Sequence, residues 1–329
     1  MKIGYFLSCE EWGPNELVAN AVKARDAGFE GYWISDHFHP WHDGQGHSPF
    51  VWAVIGALAE ACPGMAVTTA VTCPTIRIHP AVIAQAAATA SLLLGGRFTL
   101  GVGTGEALNE HILGDRWPSA PERREMLEEA VAVIRDLWEG GVKSHRGRHY
   151  TVDHARIYDL PDEPPKIVVS GFGPAAVDLA AKIGDGFVTV HADAESVKQF
   201  RSNAQRGQLV QGGIKVCFDP DEDHARMTAY RLWPNDGLPG ELAQILPTPS
   251  HFEQAVELVT EDAIAEQIPC GPDLDRHIEA LRAYEDAGFD EVYVQQIGPN
   301  QDGFLHAYSE HVLPHFHVES QLAHVNGRS

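Results

Sequence analysis

Positive charge is scarce in this chain. Its 329 residues include 24 lysines and arginines against 46 aspartates and glutamates, a formal net charge of −22. Nucleic acids and anionic membrane surfaces are poor partners for such a protein, because the phosphate contacts that dominate their binding would be repulsive. An anionic ligand would need a local device, such as free backbone amides at a helix start. Cysteine is also sparse. Cys9, Cys62, Cys73, Cys217 and Cys270 make an odd set with no Cys-x-x-Cys pair and no zinc-like spacing. Free thiols in a reducing, cytoplasmic compartment follow from that pattern. Long apolar runs are missing too: nothing reaches the roughly 18 residues that a membrane helix needs. The opening stretch carries acids within its first dozen residues and does not read as a signal peptide. No Gly-x-Gly-x-x-Gly follows the first β-like segment, which argues against a nicotinamide Rossmann domain.

What is present is a regular alternation. Short β-like runs stand at Lys2 to Leu7, Gly31 to Ser35, Met65 to Val71, Arg97 to Val102, Lys166 to Ser170, Asp185 to Val190, Gly213 to Phe218 and Glu291 to Gln296. Helical patterns separate them, among them Asn15 to Ala27, Pro80 to Leu94, Pro121 to Glu139 and Ala175 to Ile183. Residues 140 to 162 read as a small β excursion, and Trp233 to Pro249 as an irregular, proline-studded insertion. About eight strand–helix units in a chain of this length predict one α/β domain over residues 1–329, a (β/α)₈ TIM barrel. The insertion is placed at about 230–255 and a loose tail at about 319–329.

Reacting groups in such barrels sit just after the strands. Here the unusual residues fall there in four successive units. Asp36, His37, His39, Trp41 and His42 follow the second strand, and Thr72 and Cys73 the third. Glu106 and Asn109 follow the fourth, and Gly171 to Pro174 the fifth. A histidine can take a hydroxyl proton while hydride leaves the same carbon, which suits His37. His42, and with less reason His39, read as loop-packing groups. His-x-His is also a common metal pair, but later strands add only Glu106 and His191. In Gly103-Thr104-Gly105-Glu106-Ala107-Leu108-Asn109-Glu110 the small residues let a flat ring approach the backbone. Glu106 would point into the mouth as a proton donor, or merely favour the positive end of a helix. Ser170-Gly171-Phe172-Gly173-Pro174-Ala175-Ala176 is either a phosphate-binding glycine turn or an ordinary strand–helix connection.

Together, SDHFHPW at Ser35 to Trp41, Thr-Cys-Pro at Thr72 to Pro74, GVGTGEALNE at Gly101 to Glu110 and the GFGP turn at Gly171 to Pro174 resemble the luciferase-like superfamily. Within it they are most similar to the coenzyme F420-dependent group of glucose-6-phosphate and secondary alcohol dehydrogenases. The similarity runs from Ile3 to about Phe316. The resemblance implies coenzyme F420 across the barrel mouth, His37 as base, Glu106 as proton donor to the deazaflavin, and Trp41 positioning substrate. It further implies that Asp36, Cys73, Thr104, Gly105 and Asn109 line the coenzyme, with Phe172, Gly173, Ala175 and Ala176 beside its phosphate. A cis peptide is implied between Ala70 and Val71, and a homodimer is the implied assembly.

The sequence departs from the sugar-phosphate members at their phosphate clamp. The positions matching their lysines and arginine fall at or near Asp193, Ala243 and Gln267, none of them a cation, and a threonine that helps the clamp is replaced near Val190. Losing three cations removes charge-assisted hydrogen bonds of roughly 1.5–3 kcal/mol each, unless Arg231 or another base substitutes. His39 is closer to the alcohol dehydrogenase branch. Phe50, Trp52, Trp233 and Leu238 are expected as pocket walls around a neutral, partly apolar secondary alcohol. Competing readings are a sugar-6-phosphate dehydrogenase, an FMN-dependent monooxygenase of the same fold, a deazaflavin carrier without activity, and a metal hydrolase.

Overall fold

The computed structural model describes residues 1–205 and 207–316. The tail expected from about 319 lies outside the described residues. In chain order the elements are β1 (Lys2–Leu7), α1 (Pro14–Asp26), β2 (Tyr32–Ile34), α2 (Val51–Ala61), β3 (Val67–Thr69), α3 (Pro80–Leu93), β4 (Phe98–Val102), α4 (Ala107–Glu110) and α5 (Ala120–Trp138). Next come β5 (Lys143–Arg146), β6 (Thr151–Ala155), β7 (Lys166–Ser170), α6 (Pro174–Ile183), β8 (Gly186–Thr189), α7 (Ala194–Asn203), β9 (Leu209–Val216) and α8 (Glu222–Leu232). The chain closes with α9 (Leu242–Ile245), α10 (Pro249–Val256), α11 (Glu261–Gln267), α12 (Leu274–Ala287), β10 (Glu291–Gln296) and α13 (Gln301–Ala307).

Eight strands pair in parallel and close on themselves in the order β1-β10-β9-β8-β7-β4-β3-β2, the expected (β/α)₈ barrel. The β excursion is the separate antiparallel pair β5–β6. Strands such as Lys166-Ile167-Val168-Val169-Ser170 read as near-continuous apolar runs because both faces are covered: helices outside, the barrel lumen inside. The helices supply the outer layer through apolar stripes at three- and four-residue spacing. In α5, Leu127, Ala130, Val131, Ile134, Leu137 and Trp138 are buried. Each large side chain so buried contributes about 1.5–3 kcal/mol. Trp138 adds an indole hydrogen bond to the Ala84 carbonyl at 2.9 Å, which ties α5 to α3.

The lumen is a packed core, not a channel. The rings of Trp33 and Tyr293 stack at 5.0 Å with 10° between planes, against Val168 and Val188. That packing explains a boundary the sequence does not reveal. β9 begins at Leu209, four residues before the expected Gly213, and runs through Gln211-Gly212-Gly213. Gln211 faces inward and accepts from Trp33 Nε1 at 3.2 Å. A Cβ at Gly213 would lie 2.5 Å from the Trp33 ring, so only glycine fits. Of the residues that look like a loop, Gln211 and Gly213 are therefore lumen contacts, and Gly212 lies against Tyr284 and Phe289 on the outer side. The insertion is also less irregular than expected. It forms a short 3₁₀ turn at Pro234–Gly237 followed by α9 and α10. With α8 and α11 it builds a small second core of Leu232, Trp233, Val259 and Ile264, on which Trp41 packs.

Candidate active site

The loop after β2 carries the first group. His37 Nδ1 lies 3.2 Å from the His39 carbonyl, which accepts from that nitrogen when it carries the proton. Nε2 faces Glu10 Oε1 at 3.4 Å. A proton taken up at Nε2 would therefore arrive opposite a carboxylate. Glu10 is itself fixed: its Oε2 accepts from Ser8 Oγ at 2.8 Å and Ser35 Oγ at 2.7 Å. Trp41 packs on both sides, with ring centroids 5.0 Å from His37 and 5.2 Å from Phe252.

The loop after β4 is joined to this one through Asn109, which is 2% exposed. Its Oδ1 accepts from the backbone N–H groups of Phe38 at 2.8 Å and His39 at 3.2 Å. Its Nδ2 donates to Glu106 Oε2 at 3.3 Å. Asn109 thus spans the His37 loop and the Glu106 loop. Glu106 occupies the cap position of α4, where its carbonyl accepts the first helical bonds. Gly105 turns the chain with φ +78°, a left-handed conformation that side chains disfavour.

Beneath lies a buried charged cluster. Asp36 accepts from Thr72 Oγ1 at 2.8 Å and from Arg77 at 2.9 Å, and Arg77 also faces Glu110 at 3.5 Å. Burial raises the Glu110 carboxyl to about 7, although the Arg77 backbone N–H and guanidinium hold it back. Burial likewise pushes the Cys73 thiol well up, so this cysteine is an inert wall, hydrogen-bonded to Thr75 Oγ1 at 2.9 Å. The Ala70–Val71 peptide is cis. Both residues pack on the Trp33 cluster. Thr104 is half-buried on the same rim.

At the fifth strand end, Gly171 N–H is used by the Val188 carbonyl at 3.3 Å, and Ala176 N–H by Gly173 at 3.1 Å. Among the described residues nothing accepts from the N–H groups of Phe172 and Gly173. Ala175 stands at the second position of α6, where no helical acceptor exists. Phe172 is half-exposed and meets His191 edge-on at 6.0 Å.

Several expected roles change. His39 turns its ring to the Leu108 carbonyl at 3.0 Å, which makes it a second tie between the two loops. His42 Nε2 is held by the Leu232 carbonyl at 3.0 Å, the loop-packing role expected for it. Phe50 and Trp52 are not seen in the mouth. They line an external groove of about 320 Å³ between α2 and α3, with Ile78 and Val82. Trp233 is buried rather than an open wall, its indole donating to Glu11. Val190 is partly exposed, and its carbonyl accepts from Tyr284 at 3.0 Å. Arg231 is exposed on α8 and does not replace a clamp. Among the described residues no group of three or more His, Cys, Asp or Glu is arranged for a metal ion.

Glu10 and Glu11, two acids buried just after β1, are missing from the residues expected in the site. Glu11 accepts from Trp233 Nε1, from Gln295 Nε2 at 2.9 Å and from the Gly298 amide at 2.8 Å. Burial raises its carboxyl and those three donors pull it down. The available signal was position: acids at a strand end in a barrel.

Known proteins agree with this picture. The luciferase-like monooxygenase family profile matches residues 1–291. An F420-dependent glucose-6-phosphate dehydrogenase of Nakamurella multipartita is 39% identical over 330 residues, covering 95% of this chain and 96% of that protein. One of Microbacterium testaceum is 36% identical over 327 residues, covering 95% and 97%. Among solved structures, an F420-dependent secondary alcohol dehydrogenase in complex with an F420-acetone adduct superposes with a TM-score of 0.87 at 31% identity, over 94% of this chain and 97% of that one. From the extent of these matches, this chain belongs to the luciferase-like monooxygenase family.

Proposed function

We propose that this protein is a coenzyme F420-dependent dehydrogenase that removes hydride from a secondary alcohol carbon. The observation that carries the reading is the Asn109 bridge, which holds the His37 loop and the Glu106 loop as two sides of one mouth. The names of the relatives and of the superposing structure support the same chemistry.

The residues present fit the coenzyme. The unpartnered amides of Phe172 and Gly173, with that of Ala175 at the start of α6, would hold its phosphate in an otherwise acidic protein. Asp36, Ala70, Val71, Cys73, Thr104, Gly105 and Asn109 would line its ring, with Gly171 and Ala176 shaping the turn. When bound, coenzyme F420 would supply a two-electron hydride acceptor. His37 Nε2 takes the hydroxyl proton, and the imidazolium so formed is held between the His39 carbonyl and Glu10. Glu106, on the opposite loop, would serve as the proton donor, and Trp41 would orient the substrate.

The test is loss of deazaflavin absorbance when protein, oxidised F420 and a panel of secondary alcohols are mixed. Turnover abolished in His37→Ala is expected. Binding of FMN without F420 would overturn the reading. A sugar-6-phosphate dehydrogenase is the second reading, favoured by the relatives' names. We also read the protein as a cytoplasmic homodimer. Five free, buried cysteines support the compartment. The exposed apolar side chains Phe50, Val82 and Leu93 along the α2–α3 groove support self-association. Among the described residues no helix is long and apolar enough to cross a membrane.

A further inference from the structure

The upper layer of the lumen carries polar groups that hydride chemistry does not use. On β9 the odd-numbered positions face inward: Gln211 bonds Trp33, and Gly213 lies against its ring. Lys215 is next in that row, and its register partner on β10 is Gln295, two residues beyond the inward-facing Tyr293. Lys215 Nζ lies 2.8 Å from Asp236 Oδ2 and 3.0 Å from Oδ1. It also sits 4.2 Å from the Trp233 ring centroid. Both members of the pair remain partly accessible, with side chains 19% and 21% exposed. Among the described residues, two buried acceptors beside them have no hydrogen-bond partner. One is Gln295 Oε1, whose amide donates to Glu11, and the other is Asn235 Oδ1, whose amide donates to Asp236.

Resting on the dehydrogenase reading, we propose that Lys215, Asp236 and Gln295 recognise the substrate, and that they select a neutral polyhydroxy alcohol, a free sugar or polyol, over a simple secondary alcohol and over a sugar phosphate. Each hydroxyl of a polyol is both donor and acceptor. The Lys215–Asp236 pair presents one strong donor and one strong acceptor side by side, the complement of neighbouring hydroxyls. The two unpartnered amide oxygens accept further hydroxyl protons. A simple alcohol leaves these buried groups unpaired, and a site built to hydrogen-bond hydroxyls discriminates strongly against substrates that lack them. A phosphate meets the opposite difficulty. The Lys215 charge is already paired with Asp236, and Glu11, bonded to the Trp233 indole over which Lys215 lies, places a further carboxyl beside it. A dianion would have to displace Asp236 from Lys215, the cation it pairs with.

The experiment compares kcat/KM with oxidised F420 for glucose, 2-propanol and glucose 6-phosphate in the full-length protein, Lys215→Met and Asp236→Asn. Coenzyme binding and thermal melting are measured in parallel. The expected result is that the wild type prefers the free sugar over both others by about tenfold or more. Lys215→Met lowers the sugar value by roughly 10–100-fold and the 2-propanol value by no more than about threefold. Asp236→Asn, which frees the lysine charge, shifts preference toward the sugar phosphate. A wild type that favours 2-propanol or the phosphate overturns the proposal, as does a variant that loses all three substrates equally while still melting and binding F420 as the wild type does. Coenzyme binding without turnover of any donor overturns instead the dehydrogenase reading on which the proposal stands.

Discussion

Glu10 Oε1 stands 3.4 Å from His37 Nε2, with Glu10 locked by two serine hydroxyls on its other oxygen. If this carboxylate receives the proton-bearing face of the imidazolium, Glu10→Gln should lower kcat by roughly 10–100-fold, within the usual range for general acid–base terms. The KM for F420 should barely move. Steady-state kinetics on the variant separate the two quantities, and an unchanged kcat would remove Glu10 from the proton path.

Asn109 should matter to geometry more than to binding. Asn109→Ala deletes two backbone contacts and the link to Glu106, and leaves buried amides unpaired at about 1–3 kcal/mol. We expect a lower melting temperature and a loss of kcat together. Retention of full activity would show that the two loops hold their places without it.

Gly105 is confined on two counts. Its φ is +78°, and a Cβ there would lie 2.5 Å from Cys73 Sγ. Gly105→Ala should therefore cost about 2–4 kcal/mol, combining left-handed strain with a forced displacement of the thiol. Urea unfolding of the variant measures it.

Glu110 gives a pH signature. Its folded value of about 7 lies above the ordinary 4.5, so the folded state binds the proton more tightly than the unfolded chain. The stability this lends is complete below about pH 4.5 and is lost as pH rises through 7, in total roughly 3 kcal/mol. The difference in unfolding free energy between wild type and Glu110→Gln should fall across that window as pH rises. A flat difference would mean that Arg77 keeps the carboxylate ionised throughout.

His277 has the opposite sign. Burial lowers its imidazole from 6.5 to about 4, where it sits between Tyr308 Oη at 2.9 Å and the Gly271 carbonyl. Its contribution is complete above about pH 6.5 and is lost as pH falls through 4. His277→Asn should flatten the acid limb of the stability profile, read by thermal melts between those values.

Much of the molecule could be read from the chain alone. Alternating apolar runs and helical stripes gave the barrel, and β10 falls at the expected residues, Glu291–Gln296. The loops that carry His37 and Glu106 announce themselves because both motifs follow apolar strands. Glu10, Glu11, Lys215 and Gln295 were not legible, because acids and amides near strand ends look like ordinary surface until closure of the barrel decides which face is the lumen. Phe50 and Trp52 misled for the same reason: an aromatic near a mouth loop does not declare which way its helix turns. Trp233 failed differently. Its burial depends on Glu11, more than two hundred positions away in sequence, which no local pattern encodes.

The Leu232 carbonyl accepts both His42 Nε2 at 3.0 Å and Gln45 Nε2 at 2.8 Å, and so fastens the insertion to the catalytic loop. A main-chain oxygen is supplied by every amino acid, so no substitution at position 232 can delete it. The segment from Pro239 to Thr248 lies past Trp233 and Asp236 and before Phe252, which packs on Trp41, so it can drift in composition and length while that anchorage stays where it is. In a lineage of such enzymes this is the region where new substrate preferences can arise without disturbing the hydride-transfer apparatus. For an engineer it is the stretch to randomise first.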